Sequence, residues 1–129
     1  MHAAHVALRS EVQRCNPELN VCKDTRRAMV KVQNELLDEQ RMVRDMQARR
    51  ECGNTEFRNV KYAKAYDAYT GALQVDPAHD AYNAILYCNR AAALMMLGLF
   101  AEALNDCDEA LKRRVYYPKA RQRRANALR

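Results

Sequence analysis

Residues 53–77, GNTEFRNVKYAKAYDAYTGALQVDP, and residues 91–115, AAALMMLGLFAEALNDCDEALKRRV, carry one pattern written twice. The first copy holds Gly53, Phe57, Tyr62, Ala65, Tyr69, Ala72 and Pro77; the second holds Ala91, Leu94, Phe100, Ala103, Cys107 and Ala110. Gly53 to Ala65 is 12 residues, Ala91 to Ala103 is 12, and the next alanine follows 7 later in both copies. Such self-similarity is the mark of stacked helical hairpins, in which each unit buries its face only against its neighbours. Arrays of this kind present binding surfaces rather than enclosed reaction chambers.

Working outward from the two copies, Asn59 and Val60 make a short turn before a helix over 63–74, which Asp76-Pro77 ends. A helix over 80–97 follows, Gly98 supplies the next turn, and a helix over 101–113 completes the second hairpin. Pro118 is suited to the first position of a last helix over 118–129, because its missing N–H is one that a first turn leaves unpaired anyway. That helix opens a third hairpin, so the face of Ala120, Ala127 and Leu128 is expected to lack a cover. Upstream, a helix over 3–15 stops at Asn16-Pro17, and Pro17 can start another that runs without a proline from Glu18 to about Asn59. Met29, Val32, Leu36, Val43 and Met46 form an apolar seam along it, broken by Glu39. A long connecting helix packed on its neighbours is the expected form, with a free coiled coil as the alternative. Every expected element is helical, so the fold class is all-α.

The 129 residues suffice for one domain or a piece of a larger array, and three glycines with three prolines leave room for long helices. No stretch approaches the roughly 20 apolar residues of a membrane span, and Met1-His2-Ala3-Ala4-His5 lacks the basic and apolar regions of a secretory signal. Cys15, Cys22, Cys52, Cys88 and Cys107 form no CxxC pair, which favours reduced thiols in a cytoplasmic protein. The net charge is +6, and residues 111–129 hold eight basic side chains and no acidic one. Such a cluster attracts an anion, although a solvated basic face has the same composition. His2, His5 and His79 are scattered, and Cys15 and Cys22 lack the spacing of a structural zinc site. No catalytic constellation emerges, and neither a cofactor nor a metal is expected.

Residues 47–129 resemble tetratricopeptide repeats. Gly53 and Ala91 match the first small position of that repeat, Ala65 and Ala103 the second, and Ala72 and Ala110 the third. The copies are 38 residues apart, about four more than the usual period, and the excess falls in 78–84. Val60 stands where glycine is common, Cys107 replaces an aromatic, and Val115 replaces the closing proline. The resemblance implies a tandem helix-turn-helix solenoid. Residues 1–46 would be the end of a preceding repeat plus a linker helix, and 47–129 two repeats with the first helix of a truncated third.

A narrower similarity lies in Arg50-x-x-Gly53-Asn54-x-x-Phe57, Tyr87-Cys88-Asn89-Arg90 and Lys119-x-x-x-Arg123. These resemble the dicarboxylate-clamp subgroup, whose members bind the acidic C-terminal tails of the seventy- and ninety-kilodalton heat-shock chaperones. The family's clamp positions, Lys, Asn, Asn, Lys and Arg, fall on Arg50, Asn54, Asn89, Lys119 and Arg123. The run Leu86-Tyr87-Cys88-Asn89-Arg90 and the insertion look most like co-chaperones that join these repeats to a DnaJ-type J domain, whose His-Pro-Asp tripeptide this chain lacks. The resemblance implies a monomeric, cytoplasmic binding module without enzymatic activity, nucleic acid or membrane.

The residue types suit that task. A peptide ending in Asp carries two neighbouring carboxylates, and holding both takes cations with neutral donors between them. Arg50 and Asn54 are four apart and share a helix face, as do Lys119 and Arg123. Each also has a structural reading: the asparagines as amides bonded to backbone, Arg50 as linker-helix surface, Lys119 and Arg123 as part of a solvated basic end. Two rival functions stay open, a repeat scaffold that binds some other protein in its groove and a basic helical protein that binds RNA or acidic membrane through 111–129.

Overall fold

A computed structural model describes the backbone from Asn16 and the side chains from Cys22 to Arg129. The helix expected over 3–15, with His2, His5 and Cys15, lies outside the described residues. Helix α1 spans Asn16–Arg58, α2 Tyr62–Leu73, α3 Asp80–Met96, α4 Phe100–Arg113 and α5 Pro118–Ala127, with no strand among the described residues. Pro17 falls in the first turn of α1 and Pro118 opens α5, the positions where proline's missing donor does no harm.

The chain divides into two compact units, Met1–Gln40 and Arg41–Arg129. In the described part of the first, the α1 seam is open to solvent, with Met29 60% exposed and Val32 and Leu36 each 53% exposed. The expected packing of this seam on neighbours is therefore not found. Among the described residues of that unit α1 is the only element, so no second apolar face is there to meet it.

In the second unit the seam turns inward, with Val43 half-buried and Met46 fully buried. The small residues of the repeat, Ala65, Ala72, Ala91, Ala103 and Ala110, are all 0% exposed, as crossing points of paired helices must be. Helix α3 packs on α2, α4 and α5, and α4 packs on α5. Two larger buried residues, Met46 and Leu86, each contribute about 1.5–3 kcal/mol by leaving water. Between α3 and α4, Arg90 Nε and Nη2 donate to both oxygens of buried Asp106 at 2.7 Å each, and the Tyr66 and Tyr87 rings face the same guanidinium. Burial works against the Arg90 charge, but the hydrogen bonds and charge of Asp106 outweigh it and raise its pKa. Asp106 is thus a structural partner, and removing one member of such a buried pair costs about 3–5 kcal/mol.

Helix α5 corrects one expectation. Ala120 is fully buried against α3 and α4 residues, and Ala127 packs on the cluster of Ala91, Leu94 and Ala103; Leu128 alone of the three is exposed. Ala120 and Ala127 are two turns apart, so one inward face carries both onto the preceding hairpin.

The two hairpins close by the same turn. In the first, Val60 N–H donates to Phe57 O and Lys61 N–H to Glu56 O; in the second, Gly98 N–H donates to Met95 O and Leu99 N–H to Leu94 O. Both are Schellman endings, which need a left-handed residue just past the helix. Gly98 supplies it at φ 80°, whereas Val60 is forced into it at φ 63°. A β-branched side chain there costs about 1–2 kcal/mol, partly offset by the backbone entropy a glycine loses. Val60→Gly should therefore raise the thermal midpoint by a few degrees, for a net gain of about 0.5–1 kcal/mol. Gly98→Ala, with nothing within 4 Å to clash against, should lower it for the backbone reason alone. Thermal unfolding followed by circular dichroism checks both, and a Val60→Gly protein no more stable than the parent contradicts the turn assignment.

Candidate functional site

The second half of α1, with α2, α3 and α5, encloses a cleft of about 250 Å³. Four of the five sequence-derived residues line it: Asn54 from α1, Asn89 from α3, and Lys119 and Arg123 from α5. Phe57 and Ala92 add an apolar wall, and Arg58 and Tyr69 complete the lining. Three side chains of that lining are cationic and none is acidic. The fifth residue, Arg50, does not line the cleft; its guanidinium carbon sits over the Tyr82 ring, 5.4 Å from the centroid.

Asn54 is held by a residue the sequence reading did not single out for the site. The Tyr69 hydroxyl donates to Asn54 Oδ1, which occupies the amide's acceptor and leaves its N–H donors for the cleft. Tyr69 is 2% exposed, and burial raises its pKa against the opposing pull of Arg123, Arg50 and Arg58, so it stays a donor. Its ring has room only because residue 53 is glycine: a Cβ there would come within 2.5 Å of Tyr69 Cε1. A tyrosine where the repeat asks only for an aromatic was the available signal, since phenylalanine packs equally well without a hydroxyl.

Arg123 is fixed from the other side. Its Nη1 donates to Cys88 O at 2.7 Å and to Cys88 Sγ at 3.0 Å, tying α5 to α3 one residue before Asn89. Tyr117 packs in the cluster with Cys88; burial and then the Cys88 neighbour push its pKa up to about 12. Lys119 is exposed, and no hydrogen bond or ion pair to a described residue holds it or Asn89. One cation and one amide are therefore pre-set by buried partners, while another of each stands open to a ligand.

The rest of the basic end is largely engaged. Arg124 Nε meets Asp108 at 2.8 Å, Lys112 meets Glu109 at 3.2 Å, and Arg113 meets Glu109 at 2.7 Å. Arg113 and Arg114 lie over the Tyr87 and Tyr117 rings. Among the described residues no three His, Cys, Asp or Glu side chains converge as a metal site would need, and no helix is long and apolar enough to cross a membrane.

No family model matches the chain. Over 83 residues it is 42% identical to the DnaJ homolog subfamily C member 7 homolog of Dictyostelium discoideum, an alignment covering 64% of this chain and 15% of that protein. The chain spans only 15–17% of the length of the first curated relatives it matches. Among solved structures it is similar to the second TPR of Spaghetti (RPAP3) bound to the HSP90 peptide SRMEEVD. That match has 33% identity and a TM-score of 0.61, and covers 65% of this chain and 74% of that one. The second TPR domain of human RPAP3, in complex with the HSP70 peptide SGPTIEEVD, matches at 32% identity and TM-score 0.61, covering 67% and 68%.

The contact between position 53 and Tyr69 has a testable sign. Alanine in place of a helical glycine ordinarily stabilises by about 0.5–1 kcal/mol. Here the added methyl collides with a buried ring, and Gly53→Ala should instead destabilise by about 1–3 kcal/mol. Tyr69→Phe keeps the ring and should cost about 1 kcal/mol for the lost hydrogen bond. Urea denaturation measures both, and a Gly53→Ala protein as stable as the parent rejects the close approach.

Proposed function

The chain belongs to the tetratricopeptide-repeat family, and from that premise we propose that it docks the acidic C-terminal tail of heat-shock chaperones of the seventy- and ninety-kilodalton classes. One observation carries the reading: an acid-free cleft collects two asparagines, Lys119 and Arg123 around an apolar wall. The likeness to domains holding HSP90 and HSP70 peptides that end in Glu-Glu-Val-Asp supports the choice of ligand.

In this reading Lys119 and Arg123 neutralise the terminal Asp's two carboxylates, and the Asn54 and Asn89 amides complete their hydrogen bonds. Such charge-assisted bonds are about twice as strong as neutral ones. Tyr69 and Cys88 hold Asn54 and Arg123 in place beforehand, so less ordering remains to be done when the peptide arrives. Phe57 and Ala92 give the residue before the terminal Asp an apolar surface. Arg50 contributes its charge from the edge of the site. Residues 47–129 form the docking module of a cytoplasmic co-chaperone of the DnaJ kind, with 1–46 as the end of a preceding repeat plus the linker helix. The module binds and breaks no bond. Nucleic acid is disfavoured because Lys112, Arg113 and Arg124 already have carboxylate partners.

A peptide ending in Glu-Glu-Val-Asp should bind with a Kd on the order of one micromolar, equivalent to about −8 kcal/mol. Amidating its C-terminus should weaken binding strongly. Lys119→Ala and Arg123→Ala should each cost about 2–5 kcal/mol of binding, and Asn89→Ala about 1–3 kcal/mol. Arg124→Ala removes a cation engaged elsewhere, by Asp108, and should change binding little. Titration calorimetry on variants of unchanged helicity decides the matter, and equal binding of free and amidated peptide refutes the clamp.

A further inference from the structure

Arg50 is the one clamp position at which this sequence departs from the residue type the family uses, and it is also the one whose side chain lies outside the cleft lining. Its guanidinium carbon stands 5.4 Å from the centre of the Tyr82 ring, its Nε is buried without a partner, and the group makes no hydrogen bond to any described residue. Its charge nevertheless reaches the site, since it acts on the Tyr69 hydroxyl that holds Asn54. Arg50 is therefore an unpaired cation held by an aromatic face, with its terminal nitrogens uncommitted.

Tyr82 comes from the extra turn that separates the two repeats. His79 caps α3 by accepting Tyr82 N–H on Nδ1 at 3.2 Å, and its ring stands edge-on to Tyr82 at 6.1 Å. Asn83 Nδ2 donates to Asp76 O at 2.8 Å and locks the same turn. The Tyr82 hydroxyl is buried and has no hydrogen-bond partner.

We infer that Tyr82 is a positioning residue for Arg50, and that the extra turn and the arginine form one device that sets the first cation of the peptide site. The inference rests on the docking function proposed above. Its physical basis is the difference between the two basic side chains. A planar, weakly hydrated guanidinium stacks on a ring and keeps its donors in a fixed fork, whereas an ammonium is a compact, strongly hydrated point charge. Lysine, the family's usual residue here, is thus the wrong partner for Tyr82.

The test is calorimetry of the full chain with the Glu-Glu-Val-Asp peptide, as free acid and as amide. Lys119→Gln tests the docking reading by itself and should abolish the preference for the free acid. Tyr82→Leu keeps bulk without a π face, and Arg50→Lys keeps the charge; each should weaken free-acid binding about fivefold, the scale of a partly desolvated cation–π contact. The double variant should lose no more than either single one, because both remove the same contact. Tyr82→Phe, which keeps the ring, should retain the free-acid preference. A Tyr82 that serves only the fold would lower the thermal midpoint in Tyr82→Leu without changing the ratio of free-acid to amide binding. That result overturns the inference, as do additive losses, while a Lys119→Gln loss leaves the docking reading standing. Parent protein that binds acid and amide alike overturns both. Arg50→Lys leaves the Tyr82 ring packed on the cluster of Tyr69, Ala72 and Leu86, so it decides the point even if Tyr82→Leu proves unstable.

Discussion

The ring of Tyr69 occupies the space that a side chain at position 53 would fill, and this exclusion governs the rest of the molecule. It brings α2 against α1 at a distance only glycine permits. The same ring carries the hydroxyl that fixes Asn54, so one packing contact sets both the first hairpin and one donor of the cleft. Ala91 and Ala103 repeat the close crossing in the second hairpin without that polar by-product. The site is consequently asymmetric: its α1 side is organised by a phenol, its α5 side by the carbonyl and sulfur of Cys88.

The fold was legible because small residues at crossing points leave a record in spacing. Gly53, Ala65, Ala72, Ala91, Ala103 and Ala110, the small positions of the repeat, are all buried. Turn chemistry was legible too, since Asp76-Pro77, Gly98 and Pro118 end or begin helices for reasons local to themselves. The burial of Ala120 was not. Whether a helix face is covered depends on which side of the preceding hairpin it meets, and a periodic pattern does not record that direction. The seam of Met29, Val32 and Leu36 has the period of a packed helix yet is exposed, because periodicity states an ability to pack and names no partner.

Of the site, Asn54, Asn89, Lys119 and Arg123 were visible in the sequence, whereas Arg58, the third cation of the lining, and the residues that hold the others were not. Asn54, Asn89, Lys119 and Arg123 share one cleft, as a repeat offset can foretell. Tyr69, Cys88 and Tyr82 act through atoms that any packing residue of similar size could lack: a hydroxyl, a sulfur, a ring face in the right place. Their contribution depends on orientation across helices up to 35 residues apart in sequence. The basic end shows the same gap, since a charge count cannot tell that Arg124, Arg113 and Lys112 face Asp108 and Glu109.

The chain contains seven tyrosines and no tryptophan. Its near-ultraviolet absorbance and emission therefore come mainly from phenols, with two weakly absorbing phenylalanines beside them and no indole to mask them. Two of those phenols, Tyr69 and Tyr82, sit beside the cations of the site, one bonded to Asn54 and one beneath Arg50. An anion entering among these charges changes the local field at both chromophores. The protein thus carries its own optical reporter, built from the side chains that shape the cleft and requiring no attached dye.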